Sequence, residues 1–534
     1  MENMTKKHLL LGLLSLILFP IELSSKTFSV PNQEGIAITY ITLSDQEVGV
    51  ACNGIRKETS ATVQIPSSIS YQGKEYTVTE ISDSAFIRCD QLTSIKLPST
   101  IEKIGNHAFE DALKLQEIEI PEKVTSIGHK AFYDCNNLER AALPKGLTEI
   151  GEDAFAFCGK LEEVFLSNRI KTLGSGAFYD CHKLKITHLP NNITEIGANT
   201  FYRCHSLEKI NLPRKISEIG EYAFFECEKL EVIKLRNGIK KIGDGAFSKC
   251  IHLQSITLPN SIEKMGERIF HECESLKECK LPNNLTGIPD GTFFGCTALK
   301  KINIPSHVTK IGEYAFYQCS SISRMDITPK VEKIGDLAFN GCDKLKTFSV
   351  SKENKRYCSE EGVLYDKAKE ILIQFPQSKE SSKFKVPEGV LKIEDDAFHK
   401  CQSINEIELP STLVEIGKFA FYYCNGINQV IIPDQVQEIG NSAFSMCRNL
   451  KEITLPKGIT KIAMGTFSGC TSLNNVTIPE GVTSIGNLAF YKCINLNKIE
   501  LPSTLTEIEK NAFIGTQTPY AEDDENKFKN KLEF

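Results

Sequence analysis

Apolar residues along this chain recur in one fixed order, and phenylalanine sets the beat. It returns every 23 residues from Phe86 to Phe339 and again from Phe398 to Phe513, with a single step of 59 between the two runs. Counted from this Phe, Ala usually precedes it, Cys follows at plus 3, Leu or Ile at plus 6, and Ile or Val at plus 9. Leu or Ile and then Pro come at plus 11 and plus 12, a further aliphatic at plus 15, Ile at plus 18 and Gly at plus 19. The stretch from Phe201 to Phe224 shows the order complete: Cys204, Leu207, Ile210, Leu212, Pro213, Ile216, Ile219, Gly220 and Ala223. Self-similarity at such a period marks a stacked architecture in which no unit buries its own apolar face.

Within one coil, Ile210-x-Leu212 alternates with period two and predicts a short strand with both aliphatics inward. Pro213 ends it, because proline has no amide hydrogen for a ladder. Ile216 and Ile219 form a second inward edge. Gly220 is expected to turn the corner with positive φ, and Glu221 to Cys227 to form one helical or 3₁₀ turn that drops Phe224 into the core. Strands repeating in this way stack in parallel about 4.8 Å apart, so some 18 coils make a rod of roughly 85 Å.

The 59-residue step resolves once Phe375 is placed 23 before Phe398, with Val386, Pro387, Val390 and Ile393 in phase behind it. One coil then carries 13 extra residues. Its segments Gly362-Val363-Leu364-Tyr365 and Ile371-Leu372-Ile373 predict a protruding β-hairpin, read as an insertion tolerated at a corner rather than a binding loop. Before Phe86, runs such as Ile36–Ile41 and Ala61–Pro66, with Tyr71–Tyr76 as a turn, predict a β-rich cap over the open end of the core. The expected divisions are a signal peptide at 1–25, the cap at 26–78, repeats at 79–345, the enlarged coil at 346–392, repeats at 393–516 and a polar tail at 517–534.

The string Ile-Gly-x-x-Ala-Phe-x-x-Cys-x-x-Leu-x-x-Ile-x-Leu, as it stands in Ile219 to Leu235, resembles the BspA-like, or Treponema-type, leucine-rich repeats. The Gly362-Val363-Leu364-Tyr365 stretch is similar to an insertion common in that family. The resemblance implies an α/β leucine-rich-repeat solenoid, right-handed and curved, with parallel strands on one face and short helical or 3₁₀ turns on the other. It also implies a secreted or surface protein of the adhesin kind, though one fold hosts many functions.

Composition changes this picture little. A length of 534 residues suggests three or four domains, but the repeat overrides that count. A net charge of −6 leaves no basic footprint for nucleic acid or anionic lipid. Lys6 and Lys7 before the apolar run Leu9 to Phe19 point to an export signal cut near Lys26, and that run is too short to span a bilayer. With the first cysteine at Cys52, no lipid anchor is expected, nor a sorting tail or a membrane span after signal removal.

Nineteen cysteines in an exported chain ordinarily announce disulfides. Sixteen of them, however, occupy plus 3, which predicts a column of buried free thiols. Cys279 replaces a strand aliphatic, and Cys52 and Cys358 remain as the one labile pair. The histidines, among them His182, His205, His252 and His271, show no metal-ligand spacing along the chain. No nucleophile elbow, phosphate loop or acid pair appears, so neither an enzyme nor a cofactor is expected.

Binding is then the remaining role, and it should sit on outward positions. Plus 8 and plus 10 are mostly Lys, Glu, Asn and Thr. Arg140, Ala142, Glu163, Phe165, Ile186 and His188 depart from this on three consecutive coils. They make a candidate partner-binding patch with Phe165 outward, and an exposed aromatic rimmed by charge suits a contact hot spot. Lys185-Ile186-Thr187 breaks the consensus, so an inward Ile186 is the competing reading. A second stripe at plus 1, including Tyr133, Tyr179, Tyr202 and Phe225, is read as shielding for the core in preference to a glycan platform. The expected partner is an extracellular or cell-surface protein, with a glycan as the alternative, and the chain is expected to act as a monomer.

Overall fold

The computed structural model describes residues 25–51 and 62–521. The export signal expected at 1–25 lies outside them but for its last residue, as do Cys52 and the tail beyond 521. The described chain is a parallel-strand solenoid of about 19 turns with a 23-residue period. Most coils contribute short strands to two ladders. One holds the plus 8 to plus 10 segments, such as Ser255–Thr257 paired with Glu278–Lys280. The other holds plus 17 and plus 18, such as Glu218–Ile219 paired with Lys241–Ile242. The second inward edge is therefore a strand ladder in its own right.

The third side differs from expectation: among the described residues no helix forms. Except at Phe375, residues two before and two after each core Phe have positive φ, as with Asn199 and Arg203 around Phe201, both at 56°. Amides then point alternately along the coil and across to the next one. Asn199, Phe201 and Arg203 donate to the carbonyls of Glu221, Ala223 and Phe225 at 2.8–2.9 Å, while Tyr202 and Cys204 donate back to Asn199 and Phe201. A left-handed non-glycine residue costs about 1 kcal/mol or more, and a cross-coil hydrogen bond offsets it. A helix would satisfy each coil internally and leave no backbone bonds on this side to join it to its neighbour.

Gly220 does not use positive φ. A Cβ there would lie 2.5 Å from the backbone nitrogen of Ala198, and one on Gly128 would lie 2.5 Å from the carbonyl carbon of Gly105. The plus 19 glycines are thus required by the close approach of successive backbones at this corner.

Inside, the core phenylalanines stack ring on ring. Phe109 and Phe132 are 5.1 Å apart with planes 4° from parallel, and Phe490 and Phe513 are 5.2 Å apart at 3°. Thiols of the plus 3 cysteines serve as donors: Cys204 Sγ reaches the Phe178 carbonyl at 3.2 Å and Cys227 Sγ that of Phe201 at 3.1 Å. That same Phe201 carbonyl also accepts from the Cys204 amide. Cysteine thus fits an alanine-sized space while filling the second lone pair of a buried carbonyl. All described cysteines are free. Burial pushes the column thiols well up, Cys447 and Cys493 to about 12.

The enlarged coil does not protrude. Tyr357–Glu360, Val363–Asp366 and Ile371–Gln374 form an antiparallel meander whose last strand pairs in parallel with Lys392–Ile393. Alternation along the middle strand places Leu364 in the core of the first array and Val363 and Tyr365 in that of the second. The insertion is a partition between two cores, and its apolar alternation explains why it turned inward. At the N-terminal end, Thr27–Pro31, Ala37–Thr42 and Glu47–Val50 extend the second ladder through Lys74–Ile81, and Thr62–Gln64 is already the first rung of the other. At the far end Tyr520 lies 5.6 Å from Phe513 and covers the last ring of the stack.

Candidate interaction surface

On the strand face, the side chain directions follow from period two. Val164 and Leu166 are buried, so Phe165 between them projects outward and is 72% exposed. Arg140 and Glu163 form a parallel bridge on adjacent coils, and with Ala142 and His188 they are exposed. Ile186 leaves the group: it is 4% exposed, turned into the core with Leu189. Its coil places inward residues at plus 8 and plus 11 where others use plus 9 and plus 11. That three-residue spacing does not fit an extended strand, and both ladders are interrupted between this coil and the one before it. Phe165 therefore stands on the last rung before a gap, with His188 across it hydrogen-bonded to Thr187 Oγ1 at 2.8 Å.

Two exposed aliphatics escaped the sequence reading: Val232 at plus 8, 47% exposed, and Ile431 at plus 10, 62% exposed. Scanning each outward column for apolar residues finds both. The plus 1 aromatic stripe is closed to ligands in one respect. Tyr179 stacks on Tyr202 at 4.5 Å and Tyr202 on Phe225 at 4.7 Å, so their faces cover one another. Lys249 lies over Phe225 at one end, and Lys130 over Tyr133 beyond Phe157 at the other. A sugar needs a free ring face, and this ladder offers edges.

Reading down the columns also brings together what the chain order separates. His182, His205 and Glu228 occupy plus 4 on three successive coils, and Asp180, Arg203 and Glu226 occupy plus 2 beside them. His182 and His205 rings are 4.6 Å apart, and His182 Nε2 bonds Asp180 at 2.7 Å. The missed signal was a 23-residue offset, which no local ligand motif contains.

Comparison with known proteins agrees with this geometry. The sequence matches the family described as BspA type leucine rich repeat region over residues 65–185, 150–277, 240–361, 373–470 and 437–522. The chain belongs to the BspA-type leucine-rich-repeat family. Among solved structures, a leucine-rich cell surface protein of Faecalibacterium prausnitzii is 22% identical, with a TM-score of 0.41 over 94% of this chain and 97% of that one. A Bacteroides ovatus leucine-rich-repeat protein is 26% identical, with a TM-score of 0.40 over 83% and 94%. That of T. pallidum is 31% identical over 38% and 87%, with a TM-score of 0.32. These superpositions are loose, and membership rests on the family match. No curated protein matches the sequence. Membership of the BspA-type family points to a non-enzymatic protein-interaction scaffold that is secreted or held at the cell surface. Among the described residues no helix is long and apolar enough to cross a membrane.

Proposed function

We propose that this protein is an exported, adhesin-like scaffold without catalytic chemistry, which binds a protein of a host matrix, host cell or microbial surface through its strand face. The observation that carries this reading is Phe165. A ring this exposed, beside a gap in the ladder and rimmed by Arg140, Glu163 and His188, combines apolar area with charged edges in the way contact hot spots do. Ala142 completes the patch as a small residue that leaves the ring accessible. A glycan partner is disfavoured by the mutually stacked tyrosines. A passive role in a surface layer is the second reading, favoured by the regular, charge-laced face of the second array, where Lys383–Glu406 and Lys385–Glu408 pair across coils.

The deciding experiment captures partners from matrix and mucosal extracts with the intact protein and with Phe165→Glu. Capture by the intact protein that the variant loses supports the patch. Capture of nothing by either, together with concentration-dependent self-assembly, replaces the adhesin reading with the structural one.

A further inference from the structure

We propose that His205, Glu226 and Glu228 form a divalent-cation site of the zinc class that ties the Phe201 coil to the Phe224 coil. One donor atom from each residue lies within 4.8 Å of the other two. Around a zinc ion with bonds of about 2.0–2.2 Å, neighbouring ligand atoms sit roughly 3.4 Å apart. Rotation of two half-exposed carboxylate side chains covers that difference without moving the backbone.

Three further observations point to a missing cation. His205 Nε2 is buried and meets no hydrogen-bond partner, although carboxylates stand close by. Glu228 enters no ion pair among the described residues, and its neighbour Glu226 is only partly engaged. Arg203 Nε lies 3.3 Å from Glu226 Oε2 yet lacks the alignment of a hydrogen bond, while its Nη1 is 3.5 Å from Asp180. Glu226 and Glu228 therefore bring two carboxylates beside His205 against a single, imperfectly aligned guanidinium, which leaves negative charge over for a cation.

An imidazole with two carboxylates suits first-row divalent metals better than calcium, which prefers an all-oxygen shell. Three protein ligands leave room for water. The site is a tie between two coils at the turn ladder, with His205 lying 21 and 23 residues before the two carboxylates in the chain.

The test titrates tag-free, full-length, metal-stripped protein with Zn²⁺ by calorimetry, and with Co²⁺ by absorption. One equivalent is expected to bind, to raise the melting temperature, and to give visible cobalt bands without sulfur-to-cobalt charge transfer. His205→Ala and the isosteric Glu228→Gln should each weaken binding roughly tenfold or more, whereas Lys229→Ala keeps it. Should His205→Ala fail to fold, Glu228→Gln alone decides. Absence of saturable binding, unchanged affinity in the variants, or a thiolate band from the cysteine column overturns the site.

Discussion

The two arrays on either side of the Tyr357–Gln374 meander have separate cores built to the same pattern and differ in their surfaces. In the second array the strand ladder runs without interruption from Lys383–Lys385 through six strands to Lys498–Glu500. In the first it is divided, with the four strands from Thr62–Gln64 to Arg140–Ala142 separate from the four that begin at Lys209–Ile210. Yet the phenylalanine stack crosses that break, Phe155 to Phe178 at 5.7 Å and Phe178 to Phe201 at 5.9 Å. Continuity of the rod thus belongs to the core and turn ladder, while the strand face can be broken locally. The irregular array is also the one that carries Phe165 and the His205 cluster.

The largest expected difference between the arrays is their response to alkali. Burial raises the thiol pKa of ten column cysteines from Cys135 to Cys342, against five from Cys401 to Cys493. An unfolded chain releases these protons near pH 9, whereas the folded chain holds them to about 12 at Cys447 and Cys493. Stability is therefore complete below pH 9 and falls as the pH rises through the folded values, by up to ~1.4 kcal/mol per thiol per pH unit. Hydrogen exchange across this window should show the first array opening before the second. Simultaneous opening would mean that the partition strand couples the two cores more tightly than their thiols divide them.

Truncating one core ring tests whether the cores are equivalent. Phe224→Ala and Phe444→Ala each empty a fully buried position stacked on both sides. Each should cost about 3–5 kcal/mol in denaturant unfolding. A much smaller cost at Phe224 would show that the broken ladder also loosens the core. Repairing the break is the converse test. The double substitution Ile186→Thr and Thr187→Ile restores the plus 9 aliphatic, and is expected to add about 1–2 kcal/mol and to slow amide exchange from 186 to 188 as the ladder closes. The smallest effect is expected at Phe165→Glu, which should change stability by no more than about 0.5 kcal/mol, so that any loss of partner capture is a loss of contact.

Much of this was legible in the chain because a buried column repeats itself. Phe201, Cys204, Leu207 and Ile210 announce the coil, and the phase of Phe375 located the enlarged one. Features that depend on the relation between coils were harder to see. Gly220 looked like a φ requirement and is a clearance requirement, set by the Ala198 backbone one coil away. Glu221 to Cys227 looked helical in isolation, and its left-handed residues make sense only with the hydrogen bonds they free for the next coil. Ile371 to Ile373 was readable as one strand of a hairpin with Val363 to Tyr365, but looked protruding because nothing local reveals a second core to be sealed. In the candidate patch, Phe165 was readable from simple alternation. The inward turn of Ile186 was one of two readings, decided by where Leu189 sits.

The thiol column has one more consequence, in time rather than in space. Once folded, each sulfur is inaccessible and held by the carbonyl of the preceding coil, so an oxidant has nothing to attack. Before folding, the same chain exposes many thiols at once, any two of which can cross-link. Wherever such a chain folds under oxidising conditions, coil-by-coil closure must outrun oxidation, and the yield of native molecules becomes a race between two rates.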